Sequence, residues 1–248
     1  MSSADPVLAV EEVSVRFGGV QALDAVTLSA RPGSVTGLIG PNGAGKTTMF
    51  NVITGLETPG SGRVTIGGRD VSGLSAHKRA RLGLARTFQR LEIFGSMTAR
   101  QNVLAAAEFR NGWARDRTDA GAAADAILER VGLSAVAGAR ADALPTGLAR
   151  LVELGRALAT QPSLLLLDEP GSGLDSTESE ALGDLLLDLA ADGMAVLLVE
   201  HDVELVMRIC DTVHVLDFGR RIASGSPAEV QADPAVQAAY LGAEAGAA

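Results

Sequence analysis

The first third of the chain alternates short, partly apolar segments with glycine-rich turns. Val7 to Val15 and Val20 to Ala30 alternate loosely between apolar and polar positions, and a Phe-Gly-Gly sequence at 17–19 separates them. Arg63 to Ile66 lies in the same way between two glycine-rich turns. Short strands joined by tight turns are typical of an antiparallel sheet, so we predict one here.

Three later segments carry apolar residues at nearly every position. They are Val35 to Ile39, Leu164 to Leu167 and Met194 to Val199, and each is followed by glycine or by charged residues. All three segments are predicted to be strands. The continuous apolar runs at 164–167 and 194–199 are further predicted to be buried on both faces of a parallel sheet. Gly83 to Phe88 is predicted to be a further strand, which ends at Gln89.

Between about residues 91 and 160 the pattern becomes helical. Thr98 and Gln101 form a capping-box pattern ahead of a predicted helix over 103–109. A loop is predicted over 111–116, followed by helices over 118–131 and 147–159. Further along the chain, a helix over 177–191 is predicted to be capped by Ser176. Because α/β sequence brackets the block on both sides, the pattern indicates an inserted helical subdomain.

Composition narrows the range of functions. The 248-residue chain has a net charge of −9, so its bulk electrostatics give no reason to expect a nucleic-acid partner. Cys210 is the single cysteine, which excludes an internal disulfide and favours a buried, inert thiol. We expect no secretory signal, because the first twelve residues lack a basic segment, and no apolar run approaches the ~18 residues of a membrane span.

A phosphate-binding loop is the strongest chemical motif. The residues from Gly40 to Thr47 match G-x-x-x-x-G-K-[ST], with a predicted strand before them and a predicted helix after them. Backbone N–H groups in such a loop converge on phosphate oxygens. Lys46 can reach the β- and γ-phosphates, and the Thr47 hydroxyl can hold Mg²⁺. The predicted nucleotide-binding residues here are Gly40, Pro41, Asn42, Gly43, Ala44, Gly45, Lys46, Thr47 and Thr48.

Polar residues follow the predicted buried strands and should meet at one edge of the sheet. Asp168 is suited to Mg²⁺ and Glu169 to polarising an attacking water. The pattern alone leaves three assignments open. Gln89 is a magnesium ligand or an ordinary polar strand end, His201 a phosphate-bonding or a structural residue, and Phe17 a base-stacking ring or a core residue.

The order of these motifs resembles the ATP-binding subunit of an ABC transporter over nearly the whole chain. That family has a P-loop, a Gln loop, a signature motif, an acidic Walker B strand, a D-loop and a switch histidine. Their counterparts are Gly40 to Thr47, Gln89, residues 144–148, Asp168 with Glu169, residues 172–175, and His201. The resemblance implies an α/β fold, with a P-loop NTPase (RecA-like) core, an antiparallel β subdomain and an inserted α-helical subdomain.

The resemblance also implies boundaries and partners. A single ATPase domain would span 1–243, with core and β subdomain at about 5–90 and 161–243, a helical subdomain at about 91–160, and a loose tail at 244–248. A second ATP-binding subunit would face it head to tail, and permease subunits would dock just after Gln89. The chain would lie at the cytoplasmic face of the membrane through those permeases, and a solute-binding protein would complete the system.

The implied cofactors are ATP and Mg²⁺, and the resemblance assigns roles to the residues left open above. Phe17 would stack on adenine, and Thr47, Gln89 and Asp168 would hold Mg²⁺. Glu169 would activate water, with Gln89 and His201 completing the catalytic set. The signature residues Thr146 and Gly147 would face the ATP that the partner subunit holds.

The signature departs from the family pattern. The usual sequence is L-S-G-G-Q, whereas this chain reads L-P-T-G-L at 144–148. Pro145 lacks both the hydroxyl of serine and a backbone N–H. Two explanations are open. Either the motif is degenerate and a different partner ATPase supplies the usual signature, or Thr146 compensates for the lost serine.

Several details look like the ATPases of branched-chain amino acid importers. They are R-F-G-G at 16–19, A-R-T-F-Q at 85–89, V-E-H-D at 199–202 and the ending from Gly225 to Gly242. Other family systems, for urea or amide import or for lipopolysaccharide export, remain as alternatives. A non-transport ABC ATPase and a solitary P-loop kinase fit less well, because the first usually carries basic extensions and the second would not require Gln89 and His201.

Overall fold

The computed structural model describes residues 5–245, with side chains described through residue 240. Four strands form an antiparallel sheet in the order β2-β1-β4-β5. Their bounds are β1 Leu8–Phe17, β2 Val20–Ala30, β4 Ser61–Ile66 and β5 Arg69–Asp70. The glycine-punctuated pattern therefore predicted this sheet correctly.

The second sheet has six strands in the order β10-β9-β3-β8-β7-β6. Its strands are β3 Ser34–Ile39, β6 Leu84–Arg86, β7 Leu164–Asp168, β8 Ala195–Val199, β9 Thr212–Asp217 and β10 Arg220–Gly225. All neighbours pair in parallel except β9 and β10. Every residue of β7 and β8 is buried, as their continuous apolar sequences predict.

The described residues contain nine α-helices. They are α1 Lys46–Thr54, α2 Ala76–Ala80, α3 Ala99–Ala114, α4 Ala120–Arg130, α5 Thr146–Leu158, α6 Ser176–Ala191, α7 Val203–Ile209, α8 Pro227–Ala232 and α9 Pro234–Ala245. Helices α3, α4 and α5 follow β6 and precede β7 in the sequence, and they pack on one another. The predicted helical insertion is therefore present. None of the helices in the described range is long and apolar enough to cross a membrane.

Two local predictions were wrong, and the described residues cover a third only in part. The predicted loop at 111–116 is mostly helix, because α3 continues to Ala114 and ends where Arg115 adopts a left-handed conformation, with φ 54°. Asp175 rather than Ser176 caps α6, since its carboxylate accepts the Glu178 N–H and Glu178 bonds back in a capping box. Residues 244 and 245 of the predicted tail lie in α9, and 246–248 fall outside the described residues.

A buried arginine fixes the C-terminal end of α1. The guanidinium of Arg79 donates hydrogen bonds to the carbonyls of Val52 and Ile53 in α1, at 2.6 and 2.8 Å, and to those of Ser72 and Leu74. A cation at this end also opposes the partial negative charge of the helix dipole. The helix that begins at the phosphate loop is therefore anchored at its far end.

Two further polar side chains are buried in the core. Burial raises the pKa of the Cys210 thiol to about 12, and the thiol is buried, as predicted. His214, on β9, lies 2.8 Å from the Ser224 hydroxyl through Nδ1 and 3.4 Å from the Ser29 carbonyl through Nε2. Burial lowers the pKa of His214 to about 4.

This shift predicts an acid-sensitive stability. Because the unfolded imidazole has a pKa of about 6.5, the unfolded chain binds the extra proton between pH 6.5 and 4, and stability falls as the pH falls through that window. From pH 7.5 to 5.5 we expect wild type to lose about 1 kcal/mol more than His214→Gln, by urea unfolding. The exposed His77→Gln is the control and should follow wild type. Equal losses in wild type and His214→Gln would contradict the prediction.

Candidate nucleotide-binding site

The phosphate loop joins β3 to α1 and is closely packed on two neighbouring strands. Gly40, Gly43 and Gly45 all have positive φ, at 151°, 80° and 105°. A side chain at Gly40 would collide with the Leu216 carbonyl of β9, and a Cβ at Gly45 would lie 2.8 Å from the Ala22 carbonyl of β2. Only glycine fits both the conformation and the space at these two positions.

Lys46 folds back over the loop. Its Nζ donates hydrogen bonds to the carbonyls of Gly40, at 2.6 Å, and Pro41, at 3.0 Å. Burial lowers the pKa of Lys46, while the nearby Glu169 and Asp168 carboxylates act in the opposite direction. The ammonium is held beside the loop by neutral carbonyl partners. The negatively charged oxygens of a phosphate can replace these carbonyls, because they add an ion pair to the hydrogen bond.

A cavity of about 430 Å³ opens above the loop. The loop forms one wall, the start of β2 another, and the sheet edge a third; the lining residues are Val20, Gln21, Ala22, Asn42, Gly43, Ala44, Gly45, Lys46, Thr47, Thr48, Gln89, Glu169, Val199 and Phe218. Seven of the nine predicted nucleotide-binding residues at 40–48 thus line one cavity with Gln89 and Glu169, and only Gly40 and Pro41 do not.

Glu169 lies at the edge of the sheet, where other polar side chains approach its carboxylate. It follows β7 with a positive φ of 51°, and its N–H donates to the Val199 carbonyl at 2.8 Å. Its carboxylate accepts a hydrogen bond from the Gln89 amide at 3.0 Å, and His201 Nδ1 lies 3.9 Å from the same oxygen. The fold therefore brings together Gln89, Glu169 and His201, which are 32 to 112 residues apart in sequence.

Asp168 and Thr47 supply the oxygen atoms suited to Mg²⁺. The described residues contain no cluster of three or more His, Cys, Asp or Glu side chains that could enclose a metal. A hydroxyl, one carboxylate and an amide oxygen fit Mg²⁺, which usually keeps few protein ligands and completes its shell with water and phosphate oxygens. Asp168 is buried and bonded to Arg86, a partner that the sequence pattern did not indicate.

Of two exposed phenylalanines near the cavity, Phe218 lines it and Phe17 does not. Phe17 is 49% exposed, and it pairs across the β1–β2 hairpin with Val20, which lines the cavity; Phe17 itself lies beside the wall. Phe218 is 86% exposed, with a positive φ of 40°, and it lines the cavity directly. Its turn is fastened to the loop, since the Gly219 N–H donates to the Ala44 carbonyl. The sequence pattern did not indicate Phe218, whose only signal is an aromatic residue in a tight turn.

The signature residues lie elsewhere. Thr146 begins α5 and Gly147 follows it, and neither is among the residues that line the cavity. Pro145 occupies the N-cap position and provides no side-chain cap. Thr146 packs close to Gly173 of the loop before α6.

One face of α5 holds the segment after β6. The Arg150 guanidinium donates to the carbonyls of Phe88, at 2.9 Å, and Gln89, at 2.6 Å. The buried Glu153 carboxylate accepts the N–H groups of Phe88 and Glu92, at 3.2 and 3.4 Å. The helix that begins at the signature is thus bonded directly to the main chain around Gln89. Neither side chain was predicted, because both read as ordinary charged positions of a helix.

Beside this contact lies a groove of about 490 Å³, which we term the aromatic groove. Four aromatic side chains line it, with charged residues between them: Phe88, Phe94, Phe109 and Trp113, together with Arg86, Glu92, Glu153 and Arg156. Phe88, Phe94 and Phe109 are 38%, 45% and 68% exposed. Clustered exposed aromatic residues are typical of a protein interaction site.

Comparison with known proteins agrees with this geometry. Residues 23–172 match the family described as ABC transporter, and residues 220–246 match the family described as branched-chain amino acid ATP-binding cassette transporter. A high-affinity branched-chain amino acid transport ATP-binding protein, LivG of Salmonella typhimurium, is 39% identical over 96% of this chain and 99% of its own. The lipopolysaccharide export ATP-binding protein LptB of Acidithiobacillus ferridurans is 37% identical over 88% and 89%.

Solved structures give the same picture. An ATP-binding cassette of an ABC transporter in its ADP conformation superposes with a TM-score of 0.86 and 32% identity, covering 96% of this chain and 100% of that one. A dimeric cassette bound to ADP and phosphate gives 0.78 and 26%, covering 89% and 98%.

Proposed function

Because the chain belongs to the ABC transporter family, whose ATP-binding subunits hydrolyse ATP to power transport, we propose that it drives import of branched-chain amino acids or a related small polar solute. The match of its C-terminal residues 220–246 to the branched-chain amino acid cassette supports this choice. Export of a lipid or lipopolysaccharide, or import of urea or an amide, is the alternative, since LptB is nearly as similar as LivG.

The phosphates of ATP would lie on the loop N–H groups at the start of α1. Lys46 would exchange its two carbonyl partners for β- and γ-phosphate oxygens. Mg²⁺, when bound, neutralises phosphate charge, and Thr47, Asp168 and Gln89 are the groups that would hold it. Hydrolysis in such a site depends on positioning and charge neutralisation rather than on covalent chemistry.

The observation that carries the proposal is the position of the Glu169 carboxylate. It lines the same cavity as Lys46 and Thr47 and is flanked by Gln89 and His201. Glu169 would accept a proton from the attacking water, while Gln89 and His201 orient the water and the γ-phosphate. In the structure the Gln89 amide donates to Glu169, and that amide would have to turn for its oxygen to meet Mg²⁺.

Family members dimerise and act with permease subunits, and we propose both associations for this chain. The partner cassette would face it head to tail, so that Thr146 and Gly147 meet the nucleotide of the partner. Their location outside the chain's own cavity supports that arrangement. A solute-binding protein would deliver cargo at the opposite side of the membrane.

The aromatic groove would receive an amphipathic helix from a permease. It lies at the junction of core and helical subdomain, for which we propose boundaries near residues 91 and 160. Exposed aromatic anchors between charged residues suit such a helix. Docking there would hold the chain at the cytoplasmic face of the membrane.

Glu169→Gln should retain ATP and abolish turnover. The amide cannot accept the proton of water, so hydrolysis by the assembled transporter should fall at least about 100-fold while ATP stays bound. Phosphate release and retained nucleotide would be measured together. Glu204→Gln, at an exposed acid of α7, is the control. Unchanged hydrolysis in Glu169→Gln would remove Glu169 from the catalytic role.

Phe218→Ala and Phe17→Ala should each weaken ATP binding about two- to tenfold, because an aromatic contact contributes roughly 0.5–1.5 kcal/mol. Tripolyphosphate, which has no base, should bind both variants as it binds wild type. Phe109→Ala, at an exposed ring of the aromatic groove, is the control and should change the affinity for neither ATP nor tripolyphosphate. An equal loss for ATP and tripolyphosphate would indicate a distorted loop rather than a lost base contact.

Thr146→Val separates the two explanations of the unusual signature. The isolated chain should bind ATP with unchanged affinity, because Thr146 does not line its own cavity. If the hydroxyl replaces the missing serine, hydrolysis by the assembled transporter should fall about tenfold or more, as expected for a bond to a charged group. If hydrolysis does not fall, the motif is degenerate. Thr177→Val, in the first turn of α6, is the control.

A further inference from the structure

Arg86 and Asp168 form a buried ion pair at the sheet edge. Arg86 ends β6 and Asp168 ends the neighbouring β7, so their side chains meet beside the phosphate loop. Arg86 Nη2 donates to Asp168 Oδ2 at 2.8 Å, and each side chain is only 7% exposed. A buried carboxylate is costly without a counter-ion, and Arg86 supplies that charge.

The same guanidinium has contacts in three other directions. Its Nη1 donates to the Asn51 amide oxygen of α1 at 2.8 Å. Its Cζ lies 4.8 Å from the ring centre of Phe88 and 5.4 Å from that of Phe50. Within residues 5–245 its buried Nε has no hydrogen-bond partner, and Arg86 also lines the aromatic groove.

The ion pair conflicts with loading of the site. A divalent cation that draws on Asp168, directly or through water, must compete with a guanidinium already bonded to that carboxylate. The two cations also repel each other at short range in a partly buried region, where charges interact strongly. Mg²⁺ that is held by Asp168 should therefore weaken the bond between Arg86 and Asp168 Oδ2.

We propose that Arg86 is a positioning residue that acts as the resident counter-ion of Asp168, and that Mg²⁺ loads by weakening this pair and shifting the guanidinium toward the aromatic groove. The inference rests on the proposed function, because it assumes that Mg²⁺ accompanies the nucleotide. It goes beyond that function by assigning to Arg86 the link between the nucleotide site and the groove. Phe88, whose ring lies 4.8 Å from the guanidinium carbon of Arg86, also lines the aromatic groove and marks the direction of this shift.

The test is a Mg²⁺ titration of nucleotide binding. The purified chain, with a constant concentration of fluorescent ATP analogue, is titrated with MgCl₂, for wild type, Arg86→Gln and Arg86→Lys. Arg86→Gln keeps an amide donor near Asp168 but removes the competing charge, so half-saturation should need on the order of tenfold less Mg²⁺. Arg86→Lys keeps the charge and should stay within about twofold of wild type.

Arg156→Gln is the matched control. Arg156 lines the same groove, stacks at 4.4 Å over Phe94 and donates to the Glu92 carbonyl, but it does not contact Asp168. Its Mg²⁺ requirement should match wild type. An unchanged or higher Mg²⁺ requirement in Arg86→Gln overturns the proposal. If wild type itself binds no nucleotide at any Mg²⁺ concentration, the proposed function fails instead.

A second measurement reports on the groove. Trp113 is the only tryptophan of the chain and lines the aromatic groove with Arg86. Adding Mg²⁺ to the nucleotide-bound wild type should change Trp113 fluorescence, and Arg86→Gln should abolish that change although it binds Mg²⁺ more tightly. If Arg86→Gln does not fold, the Trp113 fluorescence of the wild type is the deciding measurement. Trp113 emission that does not change on adding Mg²⁺ would overturn the link to the groove.

Discussion

The structure depends on the close approach of other backbone segments to the phosphate loop. Gly40 lies against the end of β9, Gly45 against β2, and the turn at Gly219 bonds back to Ala44. A single added methyl group would separate these segments. The antiparallel sheet, the parallel sheet and α1 therefore meet at one point, and the cavity is the space that their contact leaves open. This junction holds the phosphate loop beside the polar residues at the strand ends. Only for that reason can these residues and the loop act on the same bound group.

Much of this was predictable from the sequence. Continuous apolar runs locate β7 and β8, and the parallel pairing then places Asp168 and Glu169 at one edge. The loop motif specifies Lys46 and Thr47 through spacing alone. The order of the motifs predicted that Gln89 and His201 belong to the same site, although neither residue indicates this by itself. The structure brings both side chains to Glu169.

The remainder depends on tertiary contacts that have no local signal. Arg86 ends an ordinary short strand, and its importance comes from a partner 82 residues away. Phe218 lies in a turn, where an exposed ring is unremarkable until a cavity is found beside it. The end of α3 was misjudged because Asn111 and Gly112 resemble a loop, whereas Arg115, two residues beyond Trp113, stops the helix through a left-handed backbone that sequence does not reveal.

The contact between α5 and the segment after β6 has a consequence for how such subunits diversify. Arg150 and Glu153 hold this segment by its carbonyl and N–H groups, which every amino acid except proline provides. Apart from Glu153, the side chains that face the aromatic groove can therefore change without breaking this link to the helix that begins at the signature. If a permease docks in the aromatic groove, as we propose, changes confined to these side chains would match one ATPase unit to a new permease. Such changes would let relatives named for amino acid transport and for lipopolysaccharide export share one architecture.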